Sequence, residues 1–227
     1  SPFSVNAADL CPVGALEDAK FRFTARNWEL TRVPTVCPSC SIGCNIYADS
    51  NNGVIKRLLP RENEAVNACF ICDHGRHNFD DVNEGRLLMG RAGQNNLTPD
   101  ESVQKAKEAL VSFLGRGAAS SLALWLSPGL TNEELFAARE WGKGLGLGLL
   151  GASLGRNARP VVPVLSDILP KTLVSDDKTA NSTGVKLLGL ASEKEPDFAK
   201  KLLLAIESGV VRGLLVFGPV LKAELDK

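Results

Sequence analysis

Three cysteines share one short loop of the sequence, and a fourth follows at a distance. Cys37, Cys40 and Cys44 fall within the run Cys-Pro-Ser-Cys-Ser-Ile-Gly-Cys, and Cys72 comes later. A [4Fe–4S] cubane has four irons, and each iron needs one thiolate. A tight loop can hold three corners of the cubane, and a second segment folded over the loop can hold the fourth. The spacing therefore predicts one [4Fe–4S] cluster on these four thiolates, with one-electron transfer as its chemistry.

Structural zinc is the alternative for these thiols. Cys69 and Cys72 form a Cys-x-x-Cys pair, as Cys37 and Cys40 do, and two such pairs are typical of a zinc knuckle site. A zinc site of this kind would leave Cys44 without a role, so the cubane is preferred. In the cubane interpretation Cys69 is expected to be a small buried hydrophobic residue, as free cysteines often are.

Composition limits the function classes. The chain has 227 residues, with 26 basic and 26 acidic side chains, and this balance argues against a nucleic-acid binder. No apolar run reaches the roughly 18 residues that a membrane-spanning helix needs. All six cysteines lie within the first third, which favours a metal site in a reducing compartment over a disulfide framework. Because the chain opens on Ser1 without a secretory signal or initiator Met, a processed protein or a fragment is expected.

The elements that must position the cysteines begin directly after Cys44. Apolar-rich runs at Asn45–Asp49 and Val54–Leu59 surround Ser50–Gly53, which predicts a β-hairpin anchoring the cysteine loop. We divide the chain into 1–32, which looks like the tail of something larger, 33–90, a [4Fe–4S] domain, and 91–227, an α/β domain.

The last stretch reads as alternating helices and strands. Capping boxes at Thr98–Glu101 and Thr131–Glu134 predict two helix starts, and a third helix is expected at about 196–208. Ser121–Leu126 and Val211–Phe217 read as buried strands. The repeated βα order predicts a mostly parallel sheet. The alternating glycines at 142–148 follow a helix, so we interpret them as a loop leading into a strand and not as a dinucleotide fingerprint.

Several motifs together resemble one family. The segments concerned are those around Cys37–Cys44, Leu59–Asn67, Phe70–Arg76, Asp9–Leu16 and Phe23–Glu29. They resemble the large iron–sulfur subunit of respiratory NADH–quinone oxidoreductase, complex I. A weaker resemblance continues at 179–184 and 211–218, in what would be a truncated, degenerate molybdopterin-oxidoreductase-like domain.

The resemblance also implies a role for Cys11 as a cluster ligand. In that family the cysteine of this Asp-Leu-Cys-Pro motif closes a second [4Fe–4S] cluster, whose other ligands lie in upstream ferredoxin-like segments that this chain lacks. Cys11 is thus a candidate ligand of a second cluster, and an unligated thiol within this chain alone.

The resemblance also implies a function and partners. The chain is expected to be an electron-transfer subunit with a cluster between or beside the NADH–flavin site and quinone. Its partners would be other peripheral-arm subunits, including the flavin subunit that oxidises NADH. It would be peripheral, on the cytoplasmic side of the inner membrane or the mitochondrial matrix side, and would meet the membrane only through the complex. The isolated chain is not expected to turn over.

A catalytic molybdopterin-dependent oxidoreductase is the rival interpretation. Such enzymes typically place a lysine shortly after the last cluster cysteine, whereas His74 stands there in this chain. The α/β stretch is also short and has no cysteine, so no molybdopterin is expected. We expect His74 and His77 to be partly exposed neighbours of the cluster. Arg76 and Lys56 are candidate cations beside it.

Overall fold

The computed structural model describes residues 2–117, 119–154, 175, 177–191 and 197–218. The chain divides into two compact units, one made of residues 1–86 and 156–180 and the other of residues 87–155 and 181–227. The described residues form a mixed α/β structure with three sheets, one of them parallel. Within this part of the chain, no helix is long and apolar enough to cross a membrane.

The first unit is built on a three-stranded antiparallel sheet in the order β1-β2-β3. Its strands are β1 (Thr31–Val36), β2 (Asn45–Asn51) and β3 (Val54–Pro60). Short helices surround the sheet: α1 (Asn6–Asp9), a 3₁₀ turn (Asn27–Glu29), α2 (Asp73–His77) and α3 (Asp80–Asn83).

The predicted hairpin is confirmed, with β2 and β3 joined at Asn52 and Gly53. Both residues have positive φ, 51° and 77°. Tight two-residue hairpin turns need this conformation, and Asn-Gly is the pair that adopts it most readily. The turn therefore fixes the pairing of Asn51 with Val54, and a register shift of one residue beyond it aligns Ile46 with Pro60.

The core of this unit includes two of the candidate ligands. It consists of Cys37, Cys44, Ile46, Leu58, Ile71 and Phe79. These residues come from the end of β1, from β2 and β3, and from the segments on either side of α2. The cysteine loop is thus part of the core and not an appendage to it.

A buried carboxylate locks the sheet from within. Asp49 is completely buried and lies on β2 at the register shift between β2 and β3. Its oxygens accept hydrogen bonds from Arg32 Nε on β1, at 2.7 Å, and from Arg57 Nε on β3, at 2.8 Å. Arg57 also lies over the ring of Phe21, 4.2 Å from its centroid. One carboxylate therefore ties all three strands together and, through Arg57, the segment before them.

The second unit contains the parallel sheet. Its elements are β4 (Gly90–Ala92), β5 (Asn95–Leu97), α4 (Pro99–Leu114), a 3₁₀ turn (Ala119–Ser121), β6 (Leu122–Leu126), α5 (Asn132–Gly144), β7 (Leu149–Ala152), α6 (Ser182–Leu187), α7 (Phe198–Glu207) and β8 (Gly213–Phe217). β4 and β5 pair as an antiparallel ribbon, and β6 lies between β7 and β8, parallel to both.

Both faces of β6 are covered, which explains its unbroken run of apolar residues. Leu124 and Leu126 pack in one cluster with Leu135 of α5. Ala123 and Trp125 pack in the other cluster, with residues of α7.

The predicted helix starts are confirmed. Thr98 and Thr131 each accept from the backbone N–H three residues later, and the glutamates there bond back to the threonine N–H groups. The glycines at 142–148 were predicted to form a loop leading into a strand. This is correct only in part, because Gly142 and Gly144 belong to the last turn of α5. Gly148 does lead into β7, where a Cβ would lie 1.8 Å from the carbonyl oxygen of Ser120. Close backbone approach, not phosphate binding, accounts for glycine at that position.

The Asp49 lock gives a stability prediction. We expect Asp49→Asn to lower the free energy of unfolding by about 2 kcal/mol, since hydrogen bonds to charged groups contribute about that much. Glu62→Gln, on an exposed loop residue of the same unit, should change it little. Chemical denaturation of both variants checks this, and equal midpoints would contradict it.

The same carboxylate predicts a pH dependence. Burial by itself raises the pKa of Asp49, but the hydrogen bonds and charges of Arg32 and Arg57 outweigh it and leave the pKa lowered. A lowered pKa stabilises the fold above the usual carboxyl value of about 3.9, and this contribution is lost as pH falls through the folded-state value. The stability difference between wild type and Asp49→Asn should therefore shrink below about pH 4.

Candidate metal centre

The loop from Cys37 to Cys44 is closed at its base by the sheet. Val36, the last residue of β1, pairs with Asn45, the first of β2, and Cys37 N–H donates to the Cys44 carbonyl at 2.8 Å. Gly43 turns the chain back with a φ of 63°. The antiparallel register thus fixes both ends of the loop and keeps its three thiols at one end of the sheet.

Cys72 joins the site from the start of helix α2. It is the N-cap residue, and its Sγ accepts a hydrogen bond from Gly75 N–H at 3.3 Å. Ile71, just before it, is buried in the core. The buried isoleucine and the first turn of the helix together set the position of the Cys72 thiol.

Gly75 is where the loop and the helix meet. A Cβ placed on this glycine would lie 2.9 Å from Cys37 Sγ and 3.4 Å from Cys72 Sγ. Ser39 Oγ lies 3.9 Å from the same point and accepts a hydrogen bond from Asn78 Nδ2 at 2.9 Å. The bare face of one glycine therefore lets sulfurs from two distant segments come together.

Burial and the neighbouring cysteines raise the pKa of two of the four thiols. Burial first, and then the charges of the thiolates at 37, 40 and 72, raise the pKa of Cys44 to about 12. The pKa of Cys40 is also raised, first by burial and then by Cys37 and Cys72. Deprotonating all four thiols in this half-buried site would need positive charge among them, and the irons of a cubane would supply it.

A cubane and a single zinc ion need different arrangements of the four sulfurs. Tetrahedral zinc holds every sulfur about 2.3 Å from one atom, whereas in a cubane each thiolate binds a different iron. No group of three or more His, Cys, Asp or Glu side chains in the described part of the chain is placed to hold one metal ion. The assignment of four cubane ligands stays a prediction.

Cys69 was expected to be buried, and that expectation is wrong. Its side chain is exposed. Asn67 and Ile71 are the buried residues of this segment. The Asn67 amide donates to the Phe70 carbonyl at 3.1 Å and accepts from Asn45 N–H at 2.9 Å. Because Asn67 and Ile71 fill the interior, the thiol between them faces solvent.

Arg76 is buried, but its charge is already paired. Its guanidinium donates to both carboxylate oxygens of Asp9, to Asn6 Oδ1 at 3.1 Å and to the Leu58 carbonyl at 3.3 Å. The suggestion that Arg76 acts as a cation for the cluster is therefore better replaced by a structural role. It joins helix α1 to the helix that begins after Cys72.

Further contacts seat the N-terminal segment on helix α2. The Asp73 carboxylate accepts from the backbone N–H groups of Ser4 and Val5, at 2.9 and 3.2 Å. The Asn6 side chain makes two hydrogen bonds to the backbone of Ile71, at 2.8 and 3.1 Å. The residues before Cys11 are thus held directly on the segment that presents Cys72.

Cys11 follows helix α1 and is half-buried. The backbone N–H groups of Leu16 and Val13 lower the pKa of its thiol. In the described residues no group of three metal ligands includes it. The loop therefore favours a thiolate at Cys11 without supplying partners for it.

The two histidines lie on the outer side of helix α2. His74 is exposed, and His77 is half-buried with Nε2 at 2.9 Å from Asp18 Oδ2. Lys20 donates to the His77 carbonyl at 3.0 Å and to Asp80 at 2.7 Å. These contacts attach residues 18–20 to the end of the same helix.

One contact with the cysteine loop was missed by the sequence analysis. Ser41, next to Cys40, donates its N–H to the carbonyl of Asp177 at 3.1 Å. Lys178 follows directly, and its charge acts on the Cys40 thiol. No local pattern signals a contact between residues so far apart in the sequence.

Comparison with known protein families identifies the same part of the chain. Residues 30–84 match the family described as the Molybdopterin oxidoreductase Fe4S4 domain, which supports a [4Fe–4S] cluster in this segment. The matched range includes the loop cysteines and Cys72.

The curated relatives share a larger part of the chain. NADH-quinone oxidoreductase subunit 3 of Thermus thermophilus is 37% identical over 145 residues, covering 64% of this chain and 18% of the relative. The NADH-ubiquinone oxidoreductase 75 kDa subunit of Reclinomonas americana is 45% identical over 87 residues, which are 38% of this chain and 13% of the relative. An NADH-quinone oxidoreductase subunit of Escherichia coli is 33% identical over 150 residues, which are 62% of this chain and 15% of the relative. The chain thus spans less than a fifth of the length of these relatives, and the resemblance seen in the sequence is confirmed for the part they share.

The glycine contact gives a test of the centre. Gly75→Ala should destabilise the protein by about 1–3 kcal/mol, as overpacking does, and lower the iron bound per chain, because the added methyl group occupies the space beside the two sulfurs. Gly144→Ala is the control, since it is also helical and a Cβ there meets nothing within 4 Å. Its stability should stay within about 1 kcal/mol of wild type. Equal iron content in both variants would contradict the packing argument.

The paired cysteines give a second test. Cys72→Ala should lose most of the bound iron, because one corner of the cubane then lacks a thiolate. Cys69→Ala should keep iron and sulfide at the wild-type level, since its thiol faces solvent. Iron and sulfide analysis after anaerobic purification measures both. A loss in Cys69→Ala as large as that in Cys72→Ala would mean that the wrong member of the pair was chosen.

Proposed function

We propose that this chain is an iron–sulfur electron-transfer part of an NADH–quinone oxidoreductase, and that it holds one [4Fe–4S] cluster on Cys37, Cys40, Cys44 and Cys72. The observation that carries the proposal is the meeting of loop and helix thiols over Gly75, within a segment that matches an Fe4S4 domain. The similarity to complex I subunits supports the wider assembly.

The residues around the thiols have defined tasks in this proposal. The bound cluster would accept and release one electron at a time. The Gly75 N–H donates to Cys72 Sγ, and hydrogen bonds to ligand sulfur are one of the protein's means of setting a cluster's potential. Ile46, Ile71 and Phe79 pack around the buried cysteines and keep water from that side of the site.

The segment 1–32 would contact the upstream iron–sulfur region of a larger assembly. Its aromatic residues Phe23 and Trp28 are 90% and 81% exposed, and Leu10 beside Cys11 is 65% exposed. Apolar side chains exposed together commonly mark an interaction surface. Cys11 would then close a second [4Fe–4S] cluster whose other ligands come from that region.

The partners would be the other peripheral-arm subunits, including the flavin subunit that oxidises NADH. Quinone and the membrane would be reached only through the complex, from the cytoplasmic or matrix side. The division into 1–32, 33–90 and 91–227 stays a proposal beside the two compact units, the first of which includes residues 156–180. The last part would be a degenerate molybdopterin-oxidoreductase-like α/β domain that binds no molybdopterin.

A catalytic molybdopterin oxidoreductase fragment is the second candidate, because the matched family carries that name. Analysis of the purified chain for molybdenum and tungsten separates the two functions. Stoichiometric metal of either kind would favour the second candidate.

The main test is cluster content in the anaerobically purified full chain. The proposal predicts about four irons and four sulfides per chain, from one cubane, and an EPR signal on reduction. The chain alone should not oxidise NADH, since its partners would carry the flavin. Zinc in place of iron, or NADH turnover by the chain alone, would count against the proposal.

A further inference from the structure

The buried side-chain amide of Asn6 is bonded to the residue that precedes Cys72. Asn6 Nδ2 donates to the Ile71 carbonyl at 2.8 Å, and the Ile71 N–H donates to Asn6 Oδ1 at 3.1 Å. The amide thus uses both backbone groups of Ile71, as a paired strand would. Because the Ile71 carbonyl belongs to the planar peptide unit that ends at the Cα of Cys72, this contact fixes the backbone from which the Cys72 side chain extends.

The same amide oxygen reaches the other end of the Cys72 turn. Asn6 Oδ1 also accepts from Arg76 Nη2 at 3.1 Å. The Arg76 backbone N–H donates to the Cys72 carbonyl at 3.0 Å, and its guanidinium is paired with Asp9. One side chain therefore contacts the residue before Cys72 and the residue that closes the turn after it.

Helix α2 is too short to hold Cys72 by itself. It has only five residues, Asp73–His77, and isolated helices of this length are not stable in water. The Asp73 N–H donates outward, to the Pro2 carbonyl at 2.7 Å. The turn that carries Cys72 is thus supported from residues 2–9, which all precede the matched segment 30–84.

We propose that Asn6 is a positioning residue for the cluster, because its amide fixes the place of the Cys72 sulfur through Ile71 and Arg76. The inference rests on the proposed function, since it needs Cys72 to be a cluster ligand. It adds to the site a residue outside the segment that matches the Fe4S4 domain. Removing a group that orients a metal ligand typically lowers metal affinity by roughly 10- to 100-fold.

The chain offers a matched control for the loss of such an amide. Asn83 makes the same pair of hydrogen bonds to Ile55 on β3. Its Nδ2 donates to the Ile55 carbonyl at 2.8 Å, and the Ile55 N–H donates to its Oδ1 at 2.9 Å. Both asparagines belong to the first unit. Asn83→Ala therefore removes equivalent backbone contacts, but from a residue that is not next to a candidate ligand.

The test follows the iron that Cys72 would bind in the cluster-loaded full chain. Ferricyanide takes one electron from a [4Fe–4S]²⁺ cluster, one ferrous ion then leaves, and three ferric ions remain on the other three thiolates. Three ferric ions carry an odd number of electrons, so EPR detects the product. Asn6→Ala should form it roughly tenfold faster than wild type, at the low end of the expected loss of affinity. Asn83→Ala should form it at the wild-type rate.

Denaturation midpoints separate positioning from stability. Both alanine variants should lose stability to a similar extent, so equally fast loss of iron from both would overturn the inference. A folded Asn6→Ala that loads no iron, beside a loaded Asn83→Ala, would support it. If Asn6→Ala does not fold, Asp9→Asn decides. This variant weakens the pair with Arg76 and should speed the loss of iron by less, and a wild-type rate for it would overturn the inference.

The outcomes distinguish the two levels of the proposal. A wild-type chain that holds no [4Fe–4S] cluster by iron and sulfide analysis would overturn both the proposed function and the role of Asn6. Loaded wild type and loaded Asn6→Ala with equal rates of iron loss would overturn the positioning role alone.

Discussion

The cysteine site depends on one constraint: the sulfurs of Cys37 and Cys72 both lie close to the position that a side chain on Gly75 would occupy. Cys37 belongs to the sheet end and Cys72 to a helix start, and Gly75 is where their thiols meet. Any side chain at that position would separate the loop from the helix. The neighbouring structure serves this contact: the β1–β2 register holds one side, and Ile71 in the core holds the other.

The helix that follows Cys72 is itself held by the N-terminal segment. A buried ion pair between Arg76 and Asp9 is weak evidence for net stability, but breaking it leaves an uncompensated buried charge. Such pairs specify position more than they add free energy. Here the position specified is that of the residues leading to Cys11, so the two candidate cluster segments share one support. We therefore expect a change in the segment before Cys11 to affect the position of the helix after Cys72, because Arg76 joins the two.

Local signals allowed much of the fold to be predicted. Asn52-Gly53 and the two capping boxes act over a few residues, and their turns and helix starts are confirmed. The predictions that were wrong or replaced all concern contacts between residues far apart in the sequence. Cys69 faces solvent because Asn67 and Ile71 fill the interior, and Arg76 is neutralised by a partner 67 residues away. Neither fact has a local signature. The candidate ligands could be proposed from spacing alone, because a loop and one distant thiol are what a cubane requires.

The site is also larger than the segment that matches the Fe4S4 domain. Residues 30–84 contain all four candidate ligands, but Asp9 precedes that range and Lys178 follows it by far. The first fixes the helix that follows Cys72, and the charge of the second lowers the pKa of Cys40 against the larger raising effect of burial. A minimal segment would keep the thiolates and lose both. Ligand spacing is what the proposed cluster requires, whereas residues outside the matched range hold the helix and the loop that carry the candidate ligands.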